Sequence, residues 1–159
     1  MKICIILPKG FPVPAVKGGA IEKLVNDIID QNEIYKKLNI TVVCIHNEEA
    51  KKISENYKNT KFIYIKNNFS YKLKAFIVRV KRLFGQNLNT YNEMVLKQIK
   101  NTKFDYIIVE DGAYHQFKTY LKYFTKEQMI LHFHHNATAD MATNETFSTC
   151  IGVSEYVAN

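Results

Sequence analysis

Ile3-Cys4-Ile5-Ile6-Leu7, then Pro8-Lys9-Gly10-Phe11-Pro12-Val13-Pro14-Ala15-Val16-Lys17-Gly18-Gly19, then Ala20-Ile21-Glu22-Lys23-Leu24-Val25-Asn26-Asp27-Ile28-Ile29: this opening stretch decides the fold. The first five residues are a short apolar run rich in isoleucine, which predicts a strand buried on both faces. Ile21, Leu24, Val25, Ile28 and Ile29 recur at helical spacing, so an amphipathic helix follows. The loop between them lies in or beside all three prolines and three of the six glycines of the chain. A loop that joins a first strand to a first helix sits at the carboxyl end of an open parallel sheet, where α/β proteins place their ligands. Gly18-Gly19 brings bare backbone N–H groups to a helix start, which favours a phosphate or a sugar hydroxyl. The plain alternative is a glycine pair that only eases a tight entry into the helix.

The alternation continues down the chain. Strands are expected at Ile40–Ile45, Lys61–Ile65, Asp105–Val109, Met129–Phe133 and Thr149–Val153. Helices are expected at Glu48–Tyr57, Tyr71–Phe84 (ended by Gly85), Tyr91–Lys100 and Tyr114–Phe124, with Ser154 capping a last one. Strands alternating with helices predict a doubly wound, Rossmann-like α/β fold whose parallel sheet of about six strands is covered on both faces. No repeat or linker interrupts residues 1–159, so they read as one domain. The final segment, Ser154 to Asn159, opens a helix without a stop signal and reads as the first part of a longer protein.

Bulk composition narrows the classes. A chain of 159 residues, 47% hydrophobic, suits a single soluble domain, and no apolar run reaches membrane-spanning length. Met1-Lys2 leads straight into a strand with no signal-peptide pattern, so a cytoplasmic location is expected. Cys4, Cys44 and Cys150 are odd in number and lack metal-ligand spacing, and they read as reduced core residues. Asn136-Ala137-Thr138 and Asn144-Glu145-Thr146 carry no glycosylation meaning in a chain that is not secreted. The formal charge of +7 points to an anionic partner. No nucleic-acid-binding pattern accompanies it, which leaves anionic lipid or a phosphorylated substrate.

Three patterns stand in order along the chain: Pro14-Ala15-Val16-Lys17-Gly18-Gly19-Ala20-Ile21-Glu22 after the first strand, Phe104-Asp105-Tyr106-Ile107-Ile108-Val109-Glu110-Asp111, and Cys150-Ile151-Gly152-Val153-Ser154-Glu155-Tyr156. Together they resemble the N-terminal half of a GT-B glycosyltransferase, and more narrowly the retaining bacterial transferases of family four that build capsules, lipopolysaccharides and glycolipids. The resemblance spans nearly the whole chain. It implies a nucleotide-diphospho-sugar donor as substrate, a sugar or lipid-linked acceptor, no further cofactor and no nucleic acid. It places Gly18 and Gly19 near the donor diphosphate, Glu22 in the same motif, and Glu110, Asp111 and Gly112 after the fourth strand. His134 takes the position beside the reacting sugar, with His135 the neighbour that a one-residue shift would bring in. The donor-binding second domain lies outside these residues, so the isolated chain is expected not to turn over.

Other readings share parts of this pattern. A nucleotide-binding oxidoreductase would alternate in the same way, but Gly-x-Gly-x-x-Gly is missing from the first loop. A non-catalytic Rossmann-like binding domain is the other alternative, because fold does not dictate function. His132 and His134 share one face of a strand and would suit zinc, yet no third ligand follows at a recognisable spacing, so no metal is expected.

One more segment stands out. Tyr71 to Phe84 contains no acidic residue, and Leu73, Phe76, Ile77, Val80 and Phe84 fall on one helical face with Lys72, Arg79 and Arg82 elsewhere. Since any helix that covers a sheet is amphipathic, the first expectation is that this stripe is core and its charges are solvated. The competing expectation is peripheral attachment to the inner face of an anionic membrane, where a lipid-linked acceptor would be met.

Overall fold

The computed structural model describes residues 1–86, 88–112, 114–135 and 145–153. Six strands form one all-parallel sheet: β1 (Lys2–Ile6), β2 (Asn39–Ile45), β3 (Thr60–Ile65), β4 (Tyr106–Glu110), β5 (Met129–Phe133) and β6 (Thr149–Gly152), in the spatial order β3-β2-β1-β4-β5-β6. The order reverses direction between β1 and β4, which makes their carboxyl ends the switch point where such sheets take ligands. The expected Rossmann-like architecture is what forms.

Helices α1 (Ala20–Tyr35) and α2 (Glu48–Ser54) connect β1 to β2 and β2 to β3. Helices α3 (Phe69–Leu83) and α4 (Thr90–Ile99) lie between β3 and β4, and a 3-10 segment (Tyr114–Lys122) precedes β5. The core is split by the sheet into two layers. Val25 and Ile29 of α1 pack with Ile3, Ile5, Val42 and Cys44 on one face. Val95 and Ile99 of α4 pack with Ile107, Val109, Met129 and Leu131 on the other. Strands buried on both faces explain why their sequences are near-continuous apolar runs rather than alternating ones. Asn47, Asn68 and Asn89 cap α2, α3 and α4, each side chain accepting a backbone N–H of the first turn. Gly85 follows α3 with φ +77°, the conformation that ends a helix at little cost to glycine.

Several expectations change. The segment from Tyr114 is a 3-10 helix, and its buried Phe117 and Tyr120 stand three residues apart, the spacing at which 3-10 side chains align. Cys4 and Cys44 are buried, and burial raises both thiols, Cys44 to about 12, so neither ionises near neutrality. Cys150 is exposed on β6 and is not a core residue.

The largest change concerns α3. It packs mainly against α4, and only Tyr71 and Val78 are buried. Leu73, Phe76, Ile77, Val80 and Phe84 are all exposed, so the apolar stripe is not core. Tyr71 and Val78 are two turns apart and lie together on the opposite helical face, which is the one turned inward. The helix expected from Ser154, the triplet beginning at Asn136, and Asn144 of the other triplet lie outside the described residues. Among the described residues, no helix is long and apolar enough to cross a membrane.

Candidate functional site

The first loop is anchored rather than loose. Val13 is fully buried, its N–H meets Cys44 Sγ at 3.5 Å, and its carbonyl accepts from Tyr64 Oη at 3.1 Å. The sheet thus grips the middle of the loop and presents its last residues at the start of α1. Gly18 and Gly19 both have positive φ, +77° and +93°, which L side chains rarely adopt. Their surroundings differ. A Cβ on Gly18 would meet open space, whereas one on Gly19 would run into the Glu22 carboxylate and approach Phe11 to 3.1 Å. Gly19 is therefore glycine because Glu22 of its own helix folds back over it. Only at Gly18 is the space that a side chain would take left open for a ligand.

At the end of β4, Glu110 is buried and Asp111 takes φ +60°, followed by Gly112 at +112°. This sharp exit stops the strand, while the Asp111 N–H still donates to the His132 carbonyl at 2.7 Å. Parallel pairing of β4 with β5 sets Glu110 directly beside His132. Two-residue alternation then puts His134 on the same face, the face that α1 covers.

The outcome is a triad of two partly buried histidines around a buried carboxylate. One oxygen of Glu110, Oε2, lies 2.9 Å from His132 Nδ1 and 2.8 Å from His134 Nε2. The two imidazoles are tilted against each other with ring centres 4.5 Å apart. An ionised carboxylate only accepts, so neutral imidazoles would carry their protons at those two nitrogens, which leaves Nδ1 of His134 as its acceptor. Burial holds the His134 imidazole below its ordinary pKa, against the opposing pull of the Asp111 and Glu22 carboxylates, while His135 pushes it further down. Burial raises Glu110, partly countered by His132. The influence of Glu22 on His134 brings the first loop and the end of β5 into one electrostatic environment.

His135 lies outside the triad. It is half exposed, and its Nδ1 is 2.6 Å from Asp111 Oδ1. Of the residues expected at the site, Gly18, Gly19, Glu22, Glu110, Asp111, His134 and His135 all come to the same carboxyl edge of the sheet, but His134 is the histidine held by the buried carboxylate.

Glu110, His132 and His134 are also a group that could hold a metal ion, each offering one atom within 4.8 Å of the others. The third ligand that sequence spacing did not supply is Glu110, distant along the chain and adjacent across the sheet. Four-coordinate zinc with bonds of about 2.0–2.1 Å would hold neighbouring ligand atoms about 3.3 Å apart. Separations of 2.8 and 2.9 Å are those of shared protons.

Sequence reading missed His132 as a partner and also missed the crevice at the switch point. A cavity of about 170 Å³ opens between the ends of β1 and β4, with Lys9, Asn92, Asp111 and Gln116 among its polar lining. Asn92 Nδ2 donates to Gln116 Oε1 across it at 3.4 Å. No local pattern marks these residues, since they meet only when α4 packs beside β4. No protein-family model matches the chain, and no curated protein matches it.

Proposed function

We propose that this domain is the acceptor-side half of a nucleotide-sugar-dependent glycosyltransferase, acting in the synthesis of cell-envelope polysaccharide or glycolipid. The observation that carries the reading is the convergence of Gly18, Glu22 and the Glu110–His132–His134 triad at the carboxyl edge of a parallel sheet. Two of the motifs that resemble family-four transferases, the one ending at Glu22 and the one containing Glu110, supply residues to it. In this reading the open side of Gly18 admits the donor diphosphate close to the backbone at the start of α1.

His134 meets a hydroxyl of the transferring sugar through Nδ1, and Glu110 is a positioning residue that fixes its tautomer and ring. The retaining reaction forms a bond from the acceptor oxygen to the anomeric carbon and breaks the bond from that carbon to the diphosphate. The acceptor proton passes to the departing diphosphate. The domain contributes orientation and charge placement rather than a covalent step.

The test uses the complete protein carrying this domain, incubated with a panel of labelled nucleoside-diphosphate sugars and a membrane extract as acceptor source. Transfer of label that falls on the order of a hundredfold in His134→Ala, with the sugar-nucleotide still bound, supports the reading. Absence of both binding and transfer across the panel removes it.

A further inference from the structure

We propose that α3 is a docking surface for an anionic lipid bilayer. Its outer face is a continuous apolar stripe formed by Phe69, Leu73, Phe76, Ile77, Val80 and Leu83, and Phe84 extends it past the helix end. These are not grazing exposures: Phe69 is 79% exposed, Phe76 66%, Leu83 81% and Phe84 80%. Large aromatic and aliphatic side chains in one row, wholly outside the core, form a patch that a soluble surface does not ordinarily carry.

The charges show what covers it. At 100° per residue, the stripe lies opposite the inward face of Tyr71 and Val78. Lys72 and Arg79 then fall along one border of the stripe and Lys81 along the other, all exposed. Lys74 turns inward to Glu93 of α4 at 3.4 Å, and Arg82 Nε donates to the Leu88 carbonyl at 2.6 Å, so these two are tied to the protein. An apolar row bordered on both sides by cations is the layout of a helix lying in the interface, its apolar side chains among acyl chains and its lysines and arginines among phosphates.

The distribution of charge along the chain agrees. Residues 56–92 hold eight of the 22 Lys and Arg residues and none of the 15 acidic ones. The rest of the chain, with 14 basic residues against 15 acidic, is close to neutral, so the net charge of +7 belongs to the segment that contains α3. A protein partner for such a stripe would need matching acidic borders, which no second copy of α3 can offer, because α3 has none. An anionic bilayer supplies both the apolar depth and the negative surface.

The position of the helix gives the docking a direction. α3 starts at the carboxyl end of β3, and Lys9 of the first loop sits with Nζ 5.0 Å from the centre of the Tyr71 ring. The stripe therefore begins next to the candidate site, and a bilayer touching it would lie alongside that edge of the sheet. The proposal rests on the helix itself and not on the glycosyltransferase reading. Vesicle binding by a protein that transfers no sugar would leave it standing, and transfer without vesicle binding would remove it.

The experiment is co-sedimentation of the purified chain with vesicles of phosphatidylcholine alone and of phosphatidylcholine with about 30% phosphatidylglycerol, at about 0.1 M and 1 M salt. Phe76→Ser, Arg79→Glu and, as a control on the opposite layer, Lys51→Glu are compared, with circular dichroism to verify folding. Expected is binding to the anionic vesicles that weakens with salt, falls about tenfold or more in Phe76→Ser and Arg79→Glu, and is unchanged in Lys51→Glu. Equal binding to both vesicle types, or full binding by folded Phe76→Ser, would overturn the proposal. So would a concentration-dependent dimer without vesicle binding that Phe76→Ser dissociates, which would assign the stripe to a second copy of the chain.

Discussion

Glu110 Oε2 accepts a hydrogen bond from His134 Nε2 at 2.8 Å, and the same oxygen lies 2.9 Å from His132 Nδ1. A buried carboxylate shared by two imidazoles fixes which nitrogen of His134 is turned to the cleft. Removing the carboxylate strands two donors. Glu110→Ala is expected to cost on the order of 1–3 kcal/mol per stranded donor, reduced by any water that enters. Urea denaturation measures it, and a variant as stable as the parent would show that the triad carries no fold energy.

The two glycines of the first loop are expected to separate. Gly19→Ala meets both a positive φ and the Glu22 carboxylate, whereas Gly18→Ala meets only the positive φ. The Gly18 change should lower stability by about 1 kcal/mol and the Gly19 change by clearly more. Thermal unfolding of both variants tests the order, and equal midpoints would mean that Glu22 moves aside freely.

His134 makes stability depend on pH in a definite direction. Its folded pKa lies below the ordinary 6.5, so the unfolded chain binds more protons in the window between the two values. Stability contributed by the neutral imidazole is complete above about pH 6.5 and declines as pH falls through that window. Urea midpoints between about pH 5 and 7.5 should rise more steeply for the parent than for His134→Gln. Parallel curves would indicate that His134 is not held neutral by burial.

The triad spacing predicts indifference to metal. Zinc at a few equivalents, or a chelator, should leave the melting temperature of the parent unchanged. A rise of several degrees with zinc that disappears in His132→Ala would instead identify Glu110, His132 and His134 as ligands that close around an ion.

Local sequence determined the order of elements. Ile3–Leu7 read as a buried strand because it is a short, isoleucine-rich, continuous apolar run, and Ile21 to Ile29 read as a helix because its apolar residues recur with a period of 3.6. Gly85 behind α3 marked that helix end for the same local reason, whereas the asparagine caps of α2, α3 and α4 emerged with the structure. The loop from Pro8 to Gly19 was legible as a ligand-edge loop because parallel connections fix which end of the sheet it occupies.

Tertiary structure decided which side chains meet. Glu110 and His132 are 22 residues apart and become neighbours only through the β4–β5 register, which local periodicity does not encode. Gly19 is required by Glu22, a contact that depends on how the carboxylate folds back at the start of α1. The same limit governs α3. An amphipathic pattern says that a helix has two unlike faces, and only its packing on α4 through Tyr71 and Val78 determined that the apolar one looks outward.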